Sequence, residues 1–133
     1  MNEQSRTIRI AAAVIVDGQG RLLLVRKRGT SAFMQPGGKI EPGERPEAAL
    51  VRELREELGL SIEPAMLRSL GACSAQAANE PDATVVADLF ETPLAGTPLP
   101  AVEIEEMIWI DPSRHGDVTL APLTRDAVLP RYC

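Results

Sequence analysis

One strong helical pattern runs through this 133-residue chain. Leu50, Val51, Leu54 and Leu58 recur at helical spacing between Pro46 and Gly59. Pro46 suits a first helical turn and Gly59 suits a stop. The other apolar runs read as strands that such a helix would cover. Residues 7–16 and 21–27 are rich in Ile, Val and Leu and flank the turn Asp17-Gly18-Gln19-Gly20, so they predict a hairpin. Residues 29–32 read as a loop. Residues 33–40 carry Pro36-Gly37-Gly38, and the turn Glu41-Pro42-Gly43 follows. Further strands are expected over 67–78, 84–91 and 106–110, with a turn at 79–82 and a Pro/Gly loop at 92–100. Residues 123–129 predict a short C-terminal helix. The expected class is α/β (α+β): a mixed sheet with helices packed on it. A single domain over 1–133 is expected, with residues 1–6 as a tail.

Composition narrows the class further. Apolar residues make up 44% and charged residues 25%, ordinary values for a globular chain. The longest near-apolar run, 10–16, is far too short to span a bilayer. The first six residues do not read as a signal peptide. The net charge of −5 argues against a nucleic-acid polymer or a membrane as partner, since both are anionic. Cys73 and Cys133 match neither a metal knuckle nor a disulfide framework, so a reducing cytoplasm is expected. The single histidine, His115, sits in a polar stretch and reads as a solvated loop residue. It leaves no basis for a His-based metal site or a Ser-His-Asp triad.

The chemistry concentrates on the helix. At about 100° per residue, and with Leu54 as zero, Glu57 lies near −60°, Glu53 near −100° and Glu56 near −160°. Three carboxylates thus share an arc of about 100° beside the apolar stripe. Like charges at i,i+4 cost roughly 0.2–0.5 kcal/mol per pair, so a helix built only for stability would mix signs there. A divalent cation with a preference for hard oxygen ligands supplies a reason for the cluster. Mg²⁺ takes one or two carboxylates and completes its shell with water and substrate phosphates.

The wider spacing is more specific. Gly38, Glu44, Arg52-Glu53-Leu54, Glu56-Glu57 and Gly59-Leu60 stand at the intervals of a complete Nudix box. A chance match is on the order of one in 10⁵ from average composition. The chain therefore resembles the Nudix hydrolases, and in character the small MutT-type nucleoside triphosphate pyrophosphohydrolases. The resemblance implies an α/β/α sandwich with the box helix on one side of a mixed sheet. It implies Mg²⁺, with Mn²⁺ as a substitute, held by Glu53, Glu56, Glu57 and the backbone of Gly38. It implies that Arg52 orients Glu56 and that Glu44 ties the loop to the helix. Arg45 departs from the short polar cap usual before the box helix.

The implied reaction is attack of water on a phosphoanhydride phosphorus, with a carboxylate taking the proton. Glu53 is one candidate base. Glu80, Glu103, Glu105 and Glu106 compete for the role outside the box, and Glu103 is favoured among these four. Arg26, Arg28 and Lys39 are the candidate phosphate ligands. Gln35 leads Asn79 as a reader of a base edge, since an amide offers both a donor and an acceptor. Phe33 and Phe90 are the aromatics that could stack a base. A small-molecule nucleotide is the expected substrate, for a monomer or homodimer. Hydrolysis of a nucleotide sugar or another diphosphate, and a non-catalytic ligand-sensing module, are the alternatives.

Overall fold

The computed structural model describes residues 6–78 and 80–132. Its elements in chain order are β1 Arg6–Val16, β2 Leu22–Lys27, β3 Gly37–Lys39, α1 Pro46–Leu58, β4 Arg68–Gln76, β5 Ala83–Pro93 and β6 Ile104–Ile110. A 3₁₀ turn, Pro64–Met66, precedes β4. A π-helical turn, Thr124–Val128, and a 3₁₀ turn, Leu129–Arg131, follow β6. The sheet order is β4-β5-β1-β2-β6, with β3 also paired to β1. Strands β1 and β5 run parallel, and the other pairs are antiparallel.

The Asp17 carboxylate builds the turn between β1 and β2. Its Oδ1 accepts from the N–H groups of Gln19 and Arg21, and its Oδ2 accepts from Arg21 Nε. The expected hairpin exists only at its root, where Val16 pairs with Leu22. Beyond that point the two strands part and segment 34–39 enters between them. Val25 and Met34 exchange backbone hydrogen bonds, Ala13 N–H donates to the Pro36 carbonyl, and Gly37–Lys39 pair with Ile10–Ala12. The glycines of β3 are thereby drawn into the middle of the sheet.

Strand periodicity divides the core in two. Ala11, Ala13, Ile15, Leu23 and Val25 face α1, where they meet Leu50, Leu54 and Leu58. Ala12, Val14, Leu22 and Leu24 face the opposite way and meet Leu123, Val128 and Leu129. With both faces covered, residues 11–15 are all buried, which is why β1 reads as a continuous apolar run. The result is the expected α/β/α sandwich with a mixed sheet.

Several boundaries differ from expectation. Arg6 belongs to β1 and not to a tail: it pairs with Ala83, and its N–H donates to the Asp82 carbonyl. Residues 1–5 lie outside the described residues. Strand β4 is shorter than 67–78, β5 extends to Pro93, and β6 begins at Ile104. The C-terminal helix is irregular: Leu129 N–H reaches back five residues to the Thr124 carbonyl, and Pro130, which has no N–H to donate, lies in the 3₁₀ turn that follows. His115 is half-buried, with its Nδ1 shielded from solvent, so it is not a solvated loop residue. Cys73 is half-buried and free, and Cys133 lies outside the described residues. Among the described residues no helix is long and apolar enough to cross a membrane.

Candidate active site

Helix α1 starts without a side-chain cap at Arg45, so Pro46 in its first turn carries the start signal. Gly59 ends it in the left-handed conformation at φ 65°, and its N–H caps the Arg55 and Leu54 carbonyls. The buried residues are Ala49, Leu50, Leu54, Glu57 and Leu58, while Val51 is only half-buried. The buried face is therefore rotated towards the acids. The backbone of β3 permits this close approach. A Cβ on Gly38 would lie 2.3 Å from the Glu53 carboxyl carbon, and one on Gly37 would lie 2.1 Å from the Ala11 carbonyl oxygen.

The three carboxylates consequently sit at different depths. The side chain of Glu57 is 3% exposed, that of Glu53 17% and that of Glu56 58%. Glu57 Oε1 accepts from Gly37 N–H at 3.3 Å, and Oε2 lies 3.3 Å from Lys27 Nζ. Burial pushes the Glu57 carboxyl above its usual range, against the opposing pull of Lys27 and the Gly37 N–H.

Arg52 makes the ion pair with Glu56 that the resemblance implies, but its closer contacts are elsewhere. Its Nε and Nη2 grip both oxygens of Glu44 at 2.9 Å, and its Nη1 donates to Glu53 Oε2 at 2.9 Å. Nη2 also donates to the Lys39 carbonyl at 3.1 Å. Glu56 is its most distant acid, at 3.7 Å. Arg52 thus ties the loop before α1 and strand β3 to Glu53, because Glu44 and Glu53 flank its guanidinium more closely than Glu56 does.

The bidentate pair with Arg52, helped by the Glu41 N–H, holds the Glu44 carboxyl down to about 2. A depressed carboxyl stabilises the fold above its unfolded value, and that contribution is lost as pH falls through the folded value. The melting-temperature difference between wild type and Glu44→Gln should therefore be fully present above about pH 5. It should shrink below the ordinary 4.5 and vanish near pH 2. Thermal melts at stepped pH check this, and a difference that persists unchanged at pH 3 contradicts it.

A cleft of about 190 Å³ opens beside this turn. Lys27, Gly37, Gly38 and Lys39 line it together with the apolar Ile8, Ile10, Met34, Ala77, Ala78 and Val85, and Gln35 and Glu80 are its other polar members. Strand parity explains Lys27, which the sequence reading left out. It shares the α1 side with Leu23 and Val25 and follows the register shift between Arg26 and Lys27. Arg26 is held by Glu106 at 2.7 Å and by the Thr30 carbonyl at 2.7 Å, with its guanidinium 5.9 Å above the Phe33 ring. Arg28 is held by Glu105 at 2.6 Å and by the Val102 carbonyl. Neither arginine lines the cleft, and neither do Phe33 and Phe90. Phe90 is buried in the α1-side core.

Among the four acids outside the box, Glu80 pairs with Arg6, Glu105 with Arg28 and Glu106 with Arg26. Glu103 is exposed, and its carbonyl accepts from Arg28 N–H. Asn79 lies outside the described residues.

As they stand, no three His, Cys, Asp or Glu side chains among the described residues converge on one point at metal-binding range. Glu53 is answered by Arg52 and Glu57 by Lys27. The donor set still suits a divalent cation. It is all oxygen, and the Gly38 backbone and the Glu53 carboxylate lie so close that a Cβ does not fit between them.

The NUDIX domain family model matches residues 6–132. Over 48 residues the chain is 50% identical to an RNA pyrophosphohydrolase of Proteus mirabilis, a stretch covering 36% of this chain and 27% of that protein. Over 59 residues it is 41% identical to the 8-oxo-dGTP diphosphatase of Haemophilus influenzae, covering 41% of this chain and 43% of that one. The chain thus spans less than half the length of the curated relatives it matches. The structure of a MutT NUDIX hydrolase from Burkholderia pseudomallei superposes with a TM-score of 0.81 at 25% identity, over 96% of this chain and 99% of that one. With the box spacing complete over residues 38–60 and the family model matching residues 6–132, the chain belongs to the NUDIX family.

Proposed function

We propose that this chain, acting as a single domain, hydrolyses a nucleoside triphosphate to the monophosphate and pyrophosphate. The observation that carries this reading is the cleft. Lys27 and Lys39 line it beside Gly37 and Gly38, against which the box carboxylates pack, and its other walls are mostly apolar, with Gln35 and Glu80 as their polar members. A phosphate chain suits the lysines and a nucleoside the apolar walls. The relatives named pyrophosphohydrolase and diphosphatase support the same class.

Glu53, Glu56, Glu57 and the Gly38 backbone would hold the divalent cation, Mg²⁺ or Mn²⁺. When bound, it supplies Lewis acidity to phosphate oxygens and a more acidic water. Lys27 and Lys39 bind the phosphate oxygens and orient the chain of anhydrides along the cleft. Arg52 holds Glu53 and the β3 carbonyl of Lys39 in fixed relation, so the carboxylate is preorganised before substrate arrives. Water attacks one phosphorus, the anhydride P–O bond breaks, and the departing pyrophosphate takes the bond electrons. The proton of the attacking water passes to a carboxylate oxygen. Glu53 on the box helix and Glu80, which alone of the four acids outside the box lines the cleft, are the acids proposed for this; Glu103 does not line it.

The test is a panel of nucleoside triphosphates, 8-oxo-dGTP, nucleotide sugars and 5′-triphosphorylated RNA, scored for pyrophosphate and phosphate release. Turnover of free triphosphates in Mg²⁺ or Mn²⁺ is expected, with activity abolished by excess EDTA and restored by added metal. Full turnover in EDTA would overturn the metal reading. Turnover of RNA ends alone, or of nucleotide sugars alone, would replace the substrate class.

A further inference from the structure

Gln35 is 6% exposed, yet it lines the cleft beside Gly38 and also a smaller adjoining pocket of about 80 Å³. The two spaces share Ile10, Met34, Gln35, Ala78 and Val85 as walls. Gln35 is the polar member of that shared wall, three residues before Gly38 in the segment that enters the sheet. A buried amide has four hydrogen-bonding capacities to satisfy. Here two are used. Thr124 Oγ1, fully buried, donates to Gln35 Oε1 at 2.8 Å, and Gln35 Nε2 donates to the Ala13 carbonyl at 3.4 Å. Among the described residues the second N–H of Nε2 has no partner.

The amide cannot turn over at no cost. A flip would bring Oε1 against the Ala13 carbonyl, two acceptors facing each other, and would leave the Thr124 hydroxyl to change from donor to acceptor. The orientation is thus set from two sides, by β1 and by the C-terminal helical turn 89 positions away. A buried N–H held in place without a partner calls for an acceptor.

We infer that Gln35 reads a carbonyl oxygen on the substrate's base, and that Thr124 positions the Gln35 amide for this. The inference rests on the nucleotide pyrophosphohydrolase reading above. A base with a carbonyl at purine C6 or pyrimidine C4, guanine or uracil, fills the unpaired N–H. Adenine or cytosine, with an amino group at that position, sets donor against donor. A site built to hydrogen-bond one group rejects an analogue that leaves it unpaired more strongly than a hydrophobic wall does. The rest of the shared wall, Ile10, Met34, Ala78 and Val85, is apolar and accepts either base, and Gln76 in the smaller pocket is held through its Nε2 by the Pro81 carbonyl.

The experiment compares kcat/KM for GTP against ATP and for UTP against CTP, so that ring size stays constant within each pair. Wild type should favour GTP over ATP and UTP over CTP, the members with the carbonyl at C6 or C4, by about tenfold or more. Gln35→Leu and Thr124→Val should each bring both ratios within about threefold. Thr124→Ser keeps the hydroxyl and should retain the wild-type ratios. Melting temperatures of all variants identify any that fail to fold, and Thr124→Ser against Thr124→Val then carries the comparison. Equal kcat/KM across the four substrates in wild type overturns the inference and leaves the pyrophosphohydrolase reading intact. Ratios unchanged in both Gln35→Leu and Thr124→Val also overturn it. No turnover of any nucleotide removes both readings.

Discussion

Glu57→Gln and Glu56→Gln should each lower kcat by at least about 10²-fold in saturating Mg²⁺, the scale of losing one preorganised electrostatic group. Their stabilities without metal should separate. Glu57 is buried with a raised carboxyl, so its ionised form disfavours the fold. That penalty grows as pH rises through the ordinary carboxylate range to the raised folded value, and it stays constant above. Gln keeps an acceptor for the Gly37 N–H and removes the buried charge. Lys27, with its side chain 40% exposed, can hydrate once its partner is gone. In EDTA near neutral pH, Glu57→Gln should therefore melt at or above wild type, and the gain should disappear below about pH 4.5. Glu56 is largely exposed, so Glu56→Gln should leave the melting temperature in EDTA nearly unchanged, within about 0.5 kcal/mol. Near-normal kcat in both variants would show that this helix face does not hold the site.

Gly37→Ala and Gly38→Ala should fail in different ways although the residues are adjacent. At Gly37 the added Cβ meets backbone: the Ala11 carbonyl oxygen at 2.1 Å and Ala12 Cα at 2.8 Å, with φ at +148°. Neither can move without breaking the β1–β3 ladder. Gly37→Ala should cost about 4 kcal/mol or more and lower the melting temperature by about 10 °C or more. At Gly38 the obstacle is the end of a flexible side chain, the Glu53 carboxylate at 2.3–2.6 Å. That carboxylate can swing aside, so Gly38→Ala should lose only about 1 kcal/mol. Its displacement breaks the Arg52 hydrogen bond at 2.9 Å and removes an oxygen donor from the proposed cation site. Activity should fall by about 10²-fold or more in a folded protein. Melting curves and kcat for the two variants separate the outcomes. A folded, fully active Gly38→Ala would mean that Glu53 need not stand where it does.

Much of the architecture was legible because its signals are local. Leu50, Leu54 and Leu58 recur at the period of one helix, Gly59 supplies the left-handed stop, and the carboxylate arc follows from the same period. The apolar run in β1 announced a strand, and the structure covers both of its faces. The box spacing, read along the chain, placed Glu53, Glu56 and Glu57 together on α1 without any knowledge of the sheet.

What the sequence by itself determined is therefore the helix, its acids and the glycines that end or approach it. The tertiary structure decided how those parts are used. Helical period cannot tell that Glu57 is buried and Glu56 exposed, because that depends on which edge of α1 rests on β3. Nor can it choose Glu44 over Glu56 as the closer partner of Arg52, since the choice rests on how the loop folds back. Lys27 reaches Glu57, while Arg26 and Arg28 are taken up by β6, because strand parity and a register shift assign neighbouring cations to different surroundings. The hydrogen bond from Thr124 to Gln35 joins residues 89 positions apart. Periodicity reports a residue's neighbours one turn or one strand step away, and contacts of that separation exist only once the sheet has brought its two ends together.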